Sequence, residues 1–240
     1  RVLEAGGYRV HVARPAAGDA QPARPLCCGR TFLSTGLVDE ARAEARRTLA
    51  ALAPWVRRGV AVVGIEPACL LTMRDEFLAL GLGEAAVALS AQALLFEEFL
   101  AREHAAGRLR LRLRPLPQRR ALLHGHCHQK AFDAMRPIEV VLGLVPSLTV
   151  ETIEAGCCGM AGAFGYEAEH RAVSMKMGEL ALLLAVRAAG PGDLIVADGA
   201  SCRRQIADGA QREALHVARV LELALAPAGA EGPSSPAGAD

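Results

Sequence analysis

The chain has 240 residues, of which 52% are apolar and only 4% are aromatic, so we expect a sizeable core built from leucine, valine and alanine. The formal net charge is +1, which gives no electrostatic reason to expect a nucleic-acid partner. No run approaches the ~18 consecutive apolar residues typical of a transmembrane segment, and no secretory signal is recognisable. We therefore expect a cytoplasmic protein, either free or bound peripherally at the inner face of the membrane.

The first half of the chain predicts two strands with a long helix between them. Residues 8–14 (YRVHVAR) alternate apolar and polar side chains and predict a strand. A loop with Cys27-Cys28-Gly29 follows, and residues 35–52 then place apolar and alanine side chains at helical spacing. Residues 60–65 (VAVVGI) predict a buried strand, and Cys69 comes shortly after it.

The middle of the chain predicts a connection between two halves. Residues 84–106 have a helical pattern. Residues 108–115 (RLRLRLRP) alternate strictly and predict an amphipathic or edge strand that joins the halves, the alternative being a site for an acidic partner.

The second half repeats the order of the first. Predicted strands cover 120–127, 147–153 and 194–197, and a long helical pattern covers 167–189. Cys157-Cys158-Gly159 follows the second of these strands, and Cys202 follows the third. The number of residues between the cysteine pair and the later single cysteine is 40 in the first copy and 43 in the second.

This repeat defines the predicted architecture. Strands that alternate with helices predict an α/β fold with two pseudo-repeated units, mainly parallel sheets and flanking helices. We predict a first unit over residues 1–105, a second over 106–225, and a disordered Pro/Gly/Ser-rich tail over 226–240. Aligning the two copies places one strand and one loop of the first unit before Arg1, so we expect the sequence to begin within a longer protein.

The seven cysteines point to metal or redox chemistry. An odd number, two adjacent pairs and the lack of an export signal argue against a disulfide framework. Ligands bind beyond the carboxyl ends of parallel strands, so four thiolates are expected at one sheet edge, which suits zinc or an iron–sulfur cluster. The four are Cys127, Cys157, Cys158 and Cys202. Adjacent cysteines suit a cluster better than one tetrahedral ion, because their sulfurs can bind different irons.

The first copy offers fewer ligands. It contains Cys27, Cys28 and Cys69, and a fourth ligand has to come from Glu66 or from before Arg1. It is therefore predicted to bind a second cluster, a different metal or nothing. The alternatives for all these cysteines are buried free thiols on tight turns and a redox-active dithiol.

Several neighbours are predicted to tune a centre in the second copy. Glycines around the cysteine pair would let backbone N–H groups point at its sulfurs, which raises the reduction potential of an anionic cluster. If residues 124–128 were a strand, the histidines there would share the face opposite Cys127, either as buried core histidines, as cluster-tuning donors or as metal ligands. The candidate tuning residues are His124, His126, His128, Lys130, Arg203 and Arg204, with Glu66 in the first copy.

These motifs together resemble a known family. The duplicated Cys-Cys-Gly is similar to the CCG, or cysteine-rich, domain family, which includes a subunit of heterodisulfide reductase and iron–sulfur subunits of flavin-linked dehydrogenases. The segments CCGRTFLSTG, GIEPACLLTMRDE, LHGHCHQKAF, CCGMAGAFGYEAE, SMKMGELAL and ADGASCRRQI more narrowly resemble the C-terminal region of FAD-linked oxidases of the D-lactate, D-2-hydroxyglutarate and glycolate type. The resemblance covers roughly residues 1–223.

The resemblance implies electron transfer from a flavin to an onward acceptor. It implies that Cys127, Cys157, Cys158 and Cys202 bind the second motif's cluster and that Cys27, Cys28 and Cys69 belong to the first. The family motif often ends in Cys-x-x-Cys, and here Glu66 and Gly199 stand at the earlier positions, which leaves a four-cysteine cluster or zinc in the second copy.

No FAD-binding glycine motif or ferredoxin-type cysteine run is present in this sequence. The resemblance therefore assigns FAD and ordinary [4Fe–4S] clusters to upstream flavin and ferredoxin-like domains or subunits, and the fragment alone is not expected to oxidise the hydroxy acid. Two other functions stay open: a heterodisulfide or thiol–disulfide reductase, and a zinc-stabilised docking module without a redox role.

Overall fold

The protein is described by a computed structural model over residues 1–227. From residue 228 onward, the predicted tail lies outside the described residues. The strands are β1 (Val62–Gly64), β2 (Ala93–Leu95), β3 (Arg120–His124), β4 (Thr149–Thr152) and β5 (Leu194–Ala197). The helices are α1 (Val2–Ala5), α2 (Arg30–Ser34), α3 (Val38–Val56), α4 (Pro67–Arg74), α5 (Glu76–Ala79), α6 (Glu84–Ser90), α7 (Phe96–Ala105), α8 (Cys127–Ala131), α9 (Met135–Leu142), α10 (Arg171–Glu179), α11 (Leu182–Ala188), α12 (Ala200–Ala210) and α13 (Val217–Ala224).

The strands form two parallel sheets, which confirms the α/β prediction. Strands β1 and β2 pair in one sheet, and the other has the order β4-β3-β5. In the second sheet Leu123 lies opposite Thr152 on one side and Val196 on the other. The three strands therefore end at the same edge. The proposed division into units 1–105 and 106–225 stays a prediction.

The best-predicted elements are those with a continuous buried pattern. Strand β5 covers the predicted residues 194–197, and all four of its residues are buried. Helix α3 begins and ends slightly later than predicted, with Asp39 and Glu40 in its first turn, where acids stabilise the helix dipole. Its buried Ala41, Ala45 and Leu52 lie on one face.

The predicted strand at residues 8–14 is wrong. These residues, which the structure describes in full, have no regular secondary structure. Val10 and Val12 are exposed, the latter at 80%. An alternating pattern forms a strand only where a neighbouring strand supplies hydrogen bonds, and none pairs with this segment among the described residues.

Two predictions in the middle of the chain were partly wrong. The helical region 84–106 is interrupted by β2, which pairs with β1 between helices α6 and α7. Residues 108–115 alternate as predicted, with leucines toward the core and arginines outward. However, they make only one isolated antiparallel bridge among the described residues, between Leu113 and Leu225.

The long helix predicted at 167–189 is two shorter helices, α10 and α11. Gly178, in the last turn of α10, packs against the loop that carries the cysteine pair. A Cβ atom there would lie 3.1 Å from the Cys158 carbonyl oxygen. The chain turns between the two helices, where Leu180 is 81% exposed.

Two apolar clusters hold the second sheet in place. Helices α7, α9 and α13 pack with buried residues of β3 and β5 in the largest apolar cluster. A second cluster includes Cys158 and Cys202 together with Leu182 and Ile206. The candidate site is therefore anchored in the core of the second sheet. Within the described residues, we find no helix of the length and apolar character needed to cross a membrane.

Candidate metal centre

Four thiols meet at the carboxyl edge of the second sheet. Cys127 begins α8 just after β3, and Cys202 lies in the first turn of α12 just after β5. Cys157 and Cys158 lie in the loop that follows β4. Because the three strands are parallel and end together, their loops bring these residues to one place.

The thiols interact with one another in a row. Cys157 interacts with Cys127 and with Cys158, and Cys158 also interacts with Cys202. The neighbouring thiols lower the pKa of Cys157, with Cys127 as the largest influence and Cys158 next. The Cys158 contact, despite burial, lowers the pKa of Cys202 to about 6. A row of four sulfurs, two of which favour the thiolate form, is suited to a metal cluster.

The glycine of each Cys-Cys-Gly motif has the same structural role. The Gly159 N–H donates to the Cys157 sulfur at 3.3 Å, and the Gly29 N–H donates to the Cys27 sulfur at 3.4 Å. Both glycines have positive φ, 98° and 79° respectively. A Cβ at Gly159 would lie 2.1 Å from the Ser174 carbonyl oxygen, and one at Gly29 would lie 2.9 Å from that of Ala41. The sequence repeat is therefore also a repeat of local backbone geometry.

The thiols of the first motif form a smaller group. The contact with Cys69 lowers the pKa of Cys28 to about 7. The same contact, with burial, raises the pKa of Cys69, and the nearby charges of Glu66 and Cys27 raise it further. Cys27 is half-buried and Cys28 is buried. Among the described residues this motif thus offers three thiols, with the Glu66 carboxylate close to one of them.

The histidines do not lie as the alternating pattern predicted. Strand β3 ends at His124, and His126 instead caps α8, its Nδ1 accepting from the His128 N–H at 3.1 Å. The rings of His126 and His128 stack 5.1 Å apart. The Cys127 sulfur lies 3.6 Å from His128 Nδ1, so Cys127 does not face away from them. The prediction of one shared face opposite Cys127 was wrong because the backbone leaves the strand conformation after His124.

Two predicted tuning cations are used to hold the loops. Lys130 donates to the carbonyl oxygens of Ala155 and, at 2.9 Å, of Gly156, which fastens the loop with the cysteine pair to α8. Arg203 donates to the carbonyl oxygens of Ala197, at 3.0 Å, and Asp198, just beyond β5. Both positive charges therefore lie beside the site while their hydrogen bonds fix its shape.

Two neighbouring groups have the donor atoms and spacing of metal sites. In the first, one atom each from His124, Cys158 and Cys202 lies within 4.8 Å of the others, and all three residues are buried. In the second, His126, Cys127 and His128 meet the same criterion at a more exposed position. Cys157 interacts with a member of each group. The edge of the sheet thus offers sulfur and nitrogen donors from the core to the surface.

A buried polar network behind the site was not predicted. The Gln129 side-chain amide donates to Glu97 Oε1 at 2.6 Å and to Asp198 Oδ2 at 3.0 Å, and all three are buried. His216 lies 3.5 Å from Asp198 Oδ1 and 2.7 Å from the Ile65 carbonyl oxygen. Burial, and then the Asp198 charge, raise the pKa of Glu97 to about 8. The sequence signal for this network was Asp198, an acidic residue that directly follows a fully buried strand.

Comparison with known families agrees with this geometry. The profile of the family CCG, described as cysteine-rich domain, matches residues 121–207. Residues 121–207 are therefore similar to cysteine-rich CCG domains. This segment extends from β3 to α12 and includes all four thiols at the sheet edge. The predicted family resemblance is thereby confirmed.

Two similar proteins of known name are a dehydrogenase subunit and a dehydrogenase. The chain is 27% identical over 201 residues to the subunit designated C of anaerobic glycerol-3-phosphate dehydrogenase from Escherichia coli K12, covering 83% of this chain and 50% of the relative. It is 28% identical over 173 residues to D-2-hydroxyglutarate dehydrogenase of the same organism, covering 71% of this chain and 16% of the relative. The chain therefore spans half of one relative and a small part of the other, both of them named as oxidoreductases.

Proposed function

We propose that this chain is an iron–sulfur electron-transfer module of an FAD-linked 2-hydroxy-acid dehydrogenase. The observation that carries the proposal is the row of four thiols at the carboxyl edge of the second sheet, within the CCG domain. The similarity to two dehydrogenase components supports the same interpretation. The hydroxy acid is proposed to be of the D-lactate, glycolate or D-2-hydroxyglutarate type.

The residues present fit an iron–sulfur cluster. Thiolates are its usual ligands, and we assign that role to Cys127, Cys157, Cys158 and Cys202. Buried His124 has two ring nitrogens without a hydrogen-bond partner among the described residues, as expected beside a site meant to hold a metal. A bound cluster would supply single-electron transfer.

The chain's own groups would hold the ligands in place. The Gly159 N–H donates to the Cys157 sulfur, and this hydrogen bond would favour the reduced form of a bound cluster. Lys130 ties the cysteine-pair loop to α8, and Arg203 braces the end of β5. The neutral ring of His126, whose pKa burial lowers to about 4, occupies the space beside Gly199. These contacts preorganise the ligands, which lowers the cost of binding the cluster.

The first motif is proposed to hold a second metal centre. Cys27, Cys28 and Cys69 would be its ligands, with Glu66 beside them as a tuning charge. Three protein ligands leave a position for a further ligand from elsewhere in the protein.

The remaining components are proposed to lie outside this chain. FAD and the oxidation of the hydroxy acid would belong to an upstream flavin domain or subunit, with a ferredoxin-like domain between it and this module. The electrons would then leave for a downstream acceptor. A cytoplasmic location, free or at the inner face of the membrane, is part of this proposal.

A second function is favoured by the exposure of Cys127. A thiol at the surface end of the row is open to a disulfide substrate, as a heterodisulfide or thiol–disulfide reductase would require. A zinc-stabilised docking module would use the same sulfur and nitrogen donors.

Anaerobic reconstitution of the full chain with iron and sulfide separates these functions. The proposed function predicts stoichiometric iron, broad visible absorbance that photoreduced deazaflavin bleaches, and transfer of the stored electrons to a one-electron dye. Zinc binding that excludes iron would contradict it in favour of the docking module. Rapid reduction of an added disulfide, without any flavin domain, would favour the reductase.

A further inference from the structure

His124 is buried, and among the described residues the polar groups beside its ring are thiols rather than ordinary hydrogen-bond partners. It ends β3, is 1% exposed, and neither ring nitrogen has a hydrogen-bond partner among the described residues. A buried polar atom without a partner typically costs about 1–3 kcal/mol, so native proteins rarely keep one unless an ion, a water or a cofactor completes it. The position of this ring therefore points to a missing partner.

Two buried thiols lie beside the ring. A His124 nitrogen, the Cys158 sulfur and the Cys202 sulfur all lie within 4.8 Å of one another. The three come from different segments: the end of β3, the loop after β4 and the first turn of α12. One imidazole nitrogen and two thiolates form a ligand set that suits zinc or iron. If His124 were only a core histidine packed among apolar side chains, two thiols would not be expected beside its ring.

The next histidine along the chain is not equivalent. His126 Nδ1 accepts a hydrogen bond from the His128 N–H, so the neutral ring carries its proton on Nε2. With that tautomer Nε2 can donate to a sulfur, and His126 could bind a metal only through Nδ1, in place of its hydrogen bond to the His128 N–H. His124, in contrast, has no hydrogen bond among the described residues that fixes its tautomer.

Position 199, where the family motif often has a cysteine, has no room for a cysteine side chain beside His126. A Cβ at Gly199 would lie 2.3 Å from His126 Cδ2 and 3.2 Å from the Cys202 sulfur. A cysteine at 199 could therefore enter only if His126 moved. The extra donor for the buried end of the site has to come from another direction, and His124 is already there.

We propose that His124 is a metal ligand that binds, through a ring nitrogen, the same metal ion as Cys158 and Cys202. This inference rests on the proposed function and specifies its ligand set: the centre of the second motif is a mixed histidine–cysteine site. A neutral imidazole in place of an anionic thiolate leaves the cluster less negative, which raises its reduction potential, as in other clusters where histidine replaces cysteine. The buried part of the cluster would then be easier to reduce.

The test is pulsed electron paramagnetic resonance on the reduced, iron-loaded full chain labelled with 15N-histidine. Wild type should show the strong 15N coupling of a directly bound imidazole. His124→Cys should lose that coupling, retain iron and have a lower reduction potential. His124→Ala should lose both the coupling and part of the iron. The matched control His126→Asn, which can still cap α8, should keep the coupling.

Three outcomes separate the two claims. Full iron loading without directly bound nitrogen in wild type, or coupling that survives in His124→Cys, would overturn the ligand assignment and leave the proposed function standing. Absence of iron would overturn the proposed function.

Cobalt(II) loading would then test His124 alone, because a bound imidazole gives a strongly shifted ring N–H proton resonance that His124→Cys abolishes. Its absence from the cobalt-loaded wild type, or failure to bind cobalt, would overturn the His124 assignment as well. Circular dichroism of the metal-free variants establishes that each one folds.

Discussion

Glu66 of the first motif accepts a hydrogen bond from the backbone N–H of Ala200 in the second, with a separation of 2.9 Å. Glu66 follows β1, and Ala200 is the first residue of α12, the helix that carries Cys202. A carboxylate at a helix N-terminus satisfies a free N–H group and stabilises the helix dipole. The residue at the first motif's missing cysteine position therefore supports the helix that carries Cys202 in the second.

Replacing Glu66 with Ala should weaken this support. We expect the metal-free protein to lose about 1 kcal/mol of unfolding free energy, because one hydrogen bond to a charged acceptor is removed. Glu66→Gln keeps an acceptor and should recover most of that loss. Urea denaturation measures both variants, and the exposed Glu213→Ala serves as the control. Equal stabilities for Glu66→Ala and Glu213→Ala would show that the contact contributes nothing.

Gly159 should not tolerate a side chain. Gly159→Ala combines positive φ with a Cβ 2.1 Å from the Ser174 carbonyl oxygen. We expect a loss of about 2–4 kcal/mol in unfolding free energy, from backbone strain and overpacking together, and weaker metal binding. Gly162→Ala, with positive φ but open space, should show the strain alone.

Gly156→Ala is the matched control for this loop. A Cβ at Gly156 would meet no neighbouring atom within 4 Å, and the residue does not have positive φ, so its substitution should be close to neutral. If Gly156→Ala and Gly159→Ala destabilise the protein equally in thermal unfolding, then general loop sensitivity, rather than local geometry, explains the glycine in Cys-Cys-Gly.

Glu97 should make stability depend on pH. Burial, and then Asp198, raise its folded pKa to about 8 from an ordinary value of 4.5, so the folded state holds the proton more tightly than the unfolded state. Its contribution to stability is therefore fully present below pH 4.5 and is lost as the pH rises toward 8. The slope has an upper limit of about 1.4 kcal/mol per pH unit for one proton.

Glu97→Gln should remove this contribution. The difference in unfolding free energy between wild type and variant, measured in urea at several pH values on metal-free protein, should change steadily between pH 4.5 and 8. Using the difference cancels the titration of the cysteines, which both proteins share. A constant difference across that range would mean that Glu97 is already ionised in the folded protein.

The sequence predicted which cysteines lie near one another better than it predicted the path of the backbone around them. The apolar run Leu194–Ala197 predicts β5 because a strand that is buried on both faces consists of consecutive apolar residues, which can be recognised from the sequence alone. The alternation at residues 8–14 failed because a ladder depends on a neighbouring strand that local pattern cannot supply. Likewise, no local signal shows that β3 stops at His124, which is what separates the three histidines.

Contacts between the two motifs were beyond prediction from the sequence. The distance between Glu66 and Ala200 depends on how both sheets pack, and so does the one between His216 and Ile65. The closure of position 199 by His126 is also a tertiary effect. The Cys-Cys-Gly spacing, in contrast, was informative because the positive φ of Gly29 and Gly159 is a local requirement that both copies preserve.

The most direct test of the central claim compares iron content and electron paramagnetic resonance in wild type and Cys158→Ser after identical anaerobic reconstitution. Cys158 contacts two other thiols in the row, so its loss should remove the second motif's cluster while circular dichroism shows the fold retained. Cys69→Ser, in the first motif, is the matched control and should leave that signal in place. We predict an iron-dependent signal on reduction in wild type that Cys158→Ser lacks. An unchanged signal and iron content in Cys158→Ser would contradict the proposed cluster site.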